Sequence, residues 1–304
     1  MGLVGFLIIT LIILATVRFS AFEFANSTTF LLHNACLQRL PFQAISLAEM
    51  QALVCGESFN AAKTSELYVA SGLIHLFVVS GAHLILIEKM LLKFFQKIKA
   101  ASTVILPFLI VYALACNLNP PVTRSLIAII AGLFTLKHHL RWPENYKIFV
   151  TGLLTLLFNP EWLTSVSLQL SWLAALVVSI NSLYFFKKNI LIKQSVFFFT
   201  LAPILAFFQM PNPITILMNL IFSPVLEFIL FPLGLLIWIV PPIYIIFDWV
   251  IAVLRFFLQT SEIQSFAPIS FDSQYIIYVG WAVIFALQFY LHFKEMDHRR
   301  DQYV

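Results

Sequence analysis

Apolar residues in this chain come in long unbroken runs, separated by short polar stretches, rather than at the periods expected of half-buried strands or surface helices. The runs predict ten spans, at roughly 2 to 19, 67 to 90, 103 to 118, 121 to 140, 146 to 159, 162 to 186, 195 to 210, 214 to 240, 243 to 258 and 275 to 293. Crossing the hydrocarbon core takes about 20 residues. Gly2 to Phe19 lacks a basic leader and a clear small-residue cleavage site, so it is expected to be a retained first span rather than a signal peptide. The fifth span is short, and the eighth carries Ser223-Pro224 and Pro232 inside an apolar run, which makes one of them a candidate for a re-entrant or interfacial segment. Residues 20 to 66 form the one long polar stretch, expected to be an extracytoplasmic loop with a small helical cap. A membrane domain over 67–293 and a short tail over 294–304 complete the organisation.

Composition agrees with the pattern. Of 304 residues, 61% are hydrophobic and 11% charged, with a mean hydropathy of +0.94; soluble domains carry roughly 25% charged residues. The fold class that follows is all-α, a polytopic transmembrane bundle of about ten helices, some of them broken or re-entrant. An ordinary soluble enzyme is excluded. The net charge of +4 names no ligand, but its placement orients the chain. Thirteen of the 18 basic residues fall in four clusters: Lys89, Lys93, Lys97, Lys99; Lys137, Arg141, Lys147; Lys187, Lys188, Lys193; and Lys294, Arg299, Arg300. If these are cytoplasmic, both termini are too, and the linkers near Asn119, Pro160, Pro211 and Ser261 to Gln274 lie outside.

Catalytic carriers are hard to find. There is no multi-ligand metal motif, and His138-His139 beside Arg141 reads as an interfacial pair. Gly56 to Thr64 resembles a phosphate loop only superficially, because alanine, not glycine, directly precedes Lys63. No nucleophile elbow or Ser/Lys pattern is present, so neither catalytic residue, metal nor cofactor is expected. Three cysteines make no CxxC; Cys36 and Cys55, 19 residues apart in the expected outer loop, are predicted to form a disulfide, and Cys116 to remain a buried thiol.

Polar residues inside the runs are more informative. In the second span Gly72, His75, Ser80 and His83 fall within about 140° of one another on a helical wheel. That stripe serves either close helix packing or the lining of a wet path. The fourth span opens Asn119-Pro-Pro-Val-Thr-Arg124, with an arginine in the first turn, where a cation beside a helix N-terminus attracts anions; the alternative is snorkelling to lipid headgroups. Ser165, Gln169, Trp172 and Ser179 share a face of the sixth span. Glu227, Asp248 and Arg255 are ionisable groups within predicted spans, expected to be paired or near an interface, the last two looking at the same neighbour or into the bundle.

Four blocks of this sequence resemble the ComEC-type competence proteins. Ala52-Leu-Val-Cys-Gly-Glu57 followed by SGLIHLFVVSGAHL (Ser71 to Leu84) is similar to that family's short loop and SHLLAVSGLH signature. PPVTRSLIA (Pro120 to Ala128), SVSLQLSWLA (Ser165 to Ala174) and NLIFSPVLEFILFPLG (Asn219 to Gly234) are similar to further segments in the family's order, over about residues 45 to 240. Ser167, Leu168 and Ala82 depart from the signatures. The outer OB-type and nuclease domains common in the family find no counterpart here. The resemblance implies the membrane channel module, passing single-stranded DNA across the bacterial cytoplasmic membrane during natural transformation.

On that reading Gly72, His75, Ser80, His83, Arg124, Gln169 and Asn219 are the candidate pathway residues. The expected partners are single-stranded DNA, membrane lipid, an outer-side DNA receptor, a cytoplasmic nucleotide-driven motor or strand-binding protein, and a separate nuclease. The residues alone also allow a secondary transporter of a small solute, although no inverted repeat is evident, or a noncatalytic scaffold of an uptake complex.

Overall fold

The computed structural model describes residues 21–57, 67–68, 71, 73, 77, 81–97, 101–140, 142–184, 189–205, 214–260 and 273–301. Every regular element among them is a helix. In chain order they are α1 (Ala21–Arg39), α2 (Leu47–Met50) running into a π turn (Gln51–Cys55), α3 (Gly81–Phe94), α4 (Ala101–Ala115), α5 (Pro120–Lys137), α6 (Glu144–Phe158), α7 (Val166–Tyr184), α8 (Ile190–Leu205), α9 (Ile214–Val225), α10 (Phe231–Ile237), α11 (Tyr244–Thr260) and α12 (Ser273–Asp301). The expected first span, 2 to 19, lies outside the described residues, and so does much of the second.

Local chemistry sets several boundaries. Pro120 and Pro121 open α5, where a missing N–H costs nothing. Pro160 starts a 3-10 turn, Pro160–Thr164, whose entry is capped by the Asn159 side chain accepting from the Glu161 amide at 3.1 Å. The expected break in the eighth span falls at its prolines: α9 ends beyond Pro224, a π turn covers Leu226–Leu230, and α10 resumes with Pro232 in its first turn.

Among the described residues three helical stretches are long and apolar enough to cross a membrane: Ile216–Ile237, Pro241–Thr260 and Tyr275–Lys294. Thr103–Ala115, Val166–Ser182 and Ile190–Leu205 are apolar but shorter. A 15-residue helix such as α6 extends only about 22 Å at 1.5 Å per residue, against roughly 30 Å of hydrocarbon. The structure is thus that of a helical membrane protein; of the ten expected spans the first lies outside the described residues, and the described ones include three of full length.

Two apolar cores organise the bundle. One gathers α1, the 47–55 segment, α3, α4, α10 and α11; the other gathers α6, α7, α8 and α12. Helix α5 joins them, giving Val122 and Leu126 to the first core while packing on α6 and α7 of the second. Small residues allow the close approaches: a Cβ on Gly81 would run into Ser125 of α5, one on Gly152 into the Trp172 ring, and one on Gly280 into Gln169. Interhelical hydrogen bonds add to this, with Gln288 Nε2 donating to the Asn145 carbonyl at 2.8 Å and Trp281 Nε1 to the Leu163 carbonyl at 2.8 Å.

The largest departure from expectation is the 20–66 stretch. Instead of a loop with a small cap, its described part contains a 19-residue helix packed along α4 and a buried segment at the centre of the first core. Met50, Leu53, Val54 and Cys55 are at most 1% exposed. Its average polarity conceals the short apolar run from Ala52 to Cys55, and its buried charge, Glu49, is matched by a partner 206 residues away. Cys36 and Cys55 are disulfide-bonded, with Cα atoms 5.8 Å apart, tying this segment to α1; Cys116 is a buried free thiol.

Candidate functional site

The site is built around the turn between α4 and α5. Asn117 and Leu118 both take left-handed backbone, at φ 55° and 44°. Asparagine tolerates that region, whereas leucine is strained there and persists only because its surroundings hold it. Leu118 is buried at 5% exposure, and its carbonyl accepts from Thr123 Oγ1 at 2.8 Å. Next to it, Asn119 Nδ2 donates to the Gly56 carbonyl at 2.8 Å, and the Cys116 thiol reaches the Val54 carbonyl at 3.6 Å. Gly56, itself left-handed at φ 72°, brings the 51–57 segment up to this turn. On the other side His33 bridges the Ala115 carbonyl, 2.8 Å from Nδ1, and the Glu57 carboxylate, 3.0 Å from Nε2.

This fastened turn aims Arg124. The residue is 8% exposed, and its Nε donates to Ser171 Oγ of α7 at 2.9 Å. Among the described residues no carboxylate lies within ion-pair distance of it, so a buried guanidinium is met by a neutral hydroxyl alone. The expected contribution of the α5 N-terminus is reduced by the two prolines, which have no N–H, and by the Thr123 amide, which donates to the Asn119 carbonyl at 2.9 Å. The positive group on offer is the side chain.

Two other charges within the apolar helices, Arg255 and Asp248, have polar partners. Arg255 Nε donates to Glu49 Oε1 at 3.0 Å, its Nη2 reaches the same oxygen, and Tyr68 Oη donates there at 3.0 Å. Asp248, seven residues before Arg255, accepts from the amides of Ile45 at 3.0 Å and Ser46 at 2.9 Å and from the Ser46 hydroxyl. Both therefore face one neighbour, the 45–49 segment. Glu227 has no such ion pair among the described residues.

The other candidates separate. Gly72, His75 and Ser80 lie outside the described residues. His83 is buried in the first core, its ring stacked on Phe231 with centroids 4.3 Å apart, and neighbouring Gly81 is the contact with α5; this end of the stripe is occupied with packing. Gln169 clasps α12, its Nε2 donating to the Ile277 carbonyl at 2.9 Å. Asn219 lies on α9, with Oδ1 buried and without a hydrogen-bond partner. Arg124 and Gln169 share a neighbourhood, through opposite faces of α7. Ser171, the partner of Arg124, is not part of the polar face that Gln169 marks in the sequence, because two residues along a helix turn a side chain by about 200° and put it on the far side. Among the described residues no three His, Cys, Asp or Glu side chains converge to hold a metal.

Comparison with known proteins places these helices in a family. The model of the Competence protein family matches residues 53–294, which is most of the chain and includes the α4–α5 turn, Arg124 and Ser171. An uncharacterized protein of Aquifex aeolicus (strain VF5) is 28% identical over 181 residues, 58% of this chain and 44% of the relative, so the chain spans less than half of that protein's length. No solved structure matches. With a match that covers all but the first 52 and the last ten residues, the chain belongs to the competence protein family.

Proposed function

We propose that this chain is the membrane conduit for single-stranded DNA in natural transformation, passing the strand inward across the bacterial cytoplasmic membrane without catalysing a reaction. Family membership supports a part in DNA uptake for competence. The observation that carries the finer reading is Arg124: a buried cation that, among the described residues, meets one serine hydroxyl and no carboxylate. A buried charge without a counterion is costly, and this bundle pairs Arg255 with Glu49. Leaving Arg124 open suits a site whose counterion is a passing ligand. A guanidinium presents two parallel N–H donors to a phosphate, and a phosphate contact carries no sequence information, as a conduit for any strand requires. The strand would come from a receptor on the outer side and a nuclease that removes its complement, both separate proteins on this reading, with lipid around the apolar helices.

The test compares transformation and membrane-protein level in cells expressing Arg124→Ala and Arg124→Lys. The expected result is a loss of uptake for alanine far exceeding any loss of protein, with lysine intermediate because it keeps the charge and loses the guanidinium fork. Parallel loss of protein and uptake would assign Arg124 to structure instead.

A further inference from the structure

Glu227 is a carboxyl group in an unusual place. It sits at the midpoint of Ile216–Ile237, the most apolar of the membrane-crossing stretches, and is half-buried between the fully buried Leu226 and the exposed Phe228. An unpaired acid at the bilayer centre costs about 2.5–3.5 kcal/mol, which is why such residues face a partner or a wet cavity. The elements packed around it supply few charges. Helix α8 carries Lys193 in its first turn, the 51–55 segment carries no charge, and on α11 Asp248 and Arg255 are engaged with Ser46 and Glu49. Among the described residues Glu227 has no ion-pair partner.

The backbone around it is also broken. Pro224 has no N–H for the Leu220 carbonyl, the π turn Leu226–Leu230 interrupts the regular ladder, and Pro232 withdraws another donor one turn later. On the same helix Asn219, Ser223 and Glu227 follow at four-residue spacing, each step about 6 Å along the axis and turned about 40°. Asn219 keeps a buried Oδ1 with no hydrogen-bond partner, at one end of this row of oxygen groups. Irregular backbone and polar side chains at membrane depth are tolerated where they line a wet cavity.

We propose that Glu227 is a proton-exchange site within the membrane, reached along the Asn219–Ser223 row by water. Its carboxylate takes a proton from hydronium, leaving water and a neutral acid, and returns the proton to water on the opposite side, so atoms and charge balance in each half-step. The ligand is the proton alone. This goes beyond DNA passage and requires no DNA.

The experiment uses the full chain in lipid vesicles that enclose a pH-sensitive dye, with an inside-negative potential and no DNA. The wild type is expected to admit protons faster than protein-free vesicles, Glu227→Gln to fall to the protein-free rate, and Glu227→Asp to retain entry. A hydrophobic carbodiimide, to which protonated carboxyl groups within the bilayer add through oxygen while giving their proton to its nitrogen, is expected to label Glu227 of the wild type less as pH rises, read by peptide mass; this arm stands if the glutamine variant fails to fold. Wild-type entry equal to that of empty vesicles, undiminished entry in Glu227→Gln, or labelling that is absent or indifferent to pH would each overturn the proposal. Because DNA is absent, its failure leaves the DNA reading intact, and failure of the Arg124 test leaves this one intact.

Discussion

Arg124 and Arg255 are guanidinium groups on helices of one bundle, and they differ in what faces them. Arg255 meets a fully buried carboxylate, Glu49, that also accepts from Tyr68. Removing one member of such a pair strands the other, at a cost of about 3 kcal/mol, whereas replacing both by apolar groups of similar volume is often close to neutral. Glu49→Ala is therefore expected to lower the thermal midpoint markedly in detergent, and Glu49→Leu with Arg255→Met to restore most of it. A double variant no more stable than Glu49→Ala would show that the pair is not an independent unit. The sequence made Arg255 and Asp248 legible as a pair facing one neighbour, because seven residues bring a helix back to nearly the same face. It could not show that the neighbour was Ser46 and Glu49, since contacts across more than 200 residues leave no local periodicity. Arg124 was legible for the opposite reason: its doubled proline and arginine stand in one short block, while its partner Ser171 depends on how two helices happen to rotate against each other.

At the scale of elements, several helix breaks are readable from proline, although Pro107 and Pro203 lie inside the unbroken helices α4 and α8. Pro120, Pro160, Pro224 and Pro232 mark starts or irregularities that the structure reproduces within a turn. The 20–66 stretch was harder, because burial there depends on partners supplied by α4, α10 and α11 rather than on its own hydropathy. Its fastening includes a disulfide over a separation of 19 residues, for which chain-entropy reasoning gives about 3 kcal/mol. Alkylation of unfolded, unreduced protein is expected to mark one thiol, Cys116, and three after reduction. Three marked thiols without reduction would refute the bond. Cys36→Ser with Cys55→Ser should unfold at lower temperature, with helix content before the transition unchanged, because α1 also packs along α4 and its His33 holds the Ala115 carbonyl.

Across the whole molecule, the contacts fix the directions of the helices and with them the placement of charge. The start of α3 meets the start of α5 through Gly81 and Ser125, Ser171 near the start of α7 meets Arg124 near the start of α5, and Gln169 meets Ile277 near the start of α12. Those four helices therefore run the same way, and Gln288 of α12 reaches Asn145 at the opposite end. Lys93, Lys137 and Lys294 lie in the C-terminal parts of α3, α5 and α12 and Lys147 in the first turn of α6, which puts them toward that opposite end, away from Arg124. A strand entering at Arg124 and leaving past the lysines would carry about one negative charge per nucleotide, and each charge moved inward against an inside-negative potential costs about 2.3 kcal/mol per 100 mV. No intact phosphate loop is written in these 304 residues to offset that cost. On the conduit reading, the pull is then expected from a separate cytoplasmic nucleotide-driven motor or strand-binding protein that docks at the lysine-rich end. In vesicles with an inside-negative potential and labelled single strands outside, the purified chain should give no sustained uptake until such a protein and its nucleotide are enclosed. Sustained uptake by the chain alone, with neither nucleotide nor trapping protein inside, would show that the driving force resides in the bundle itself.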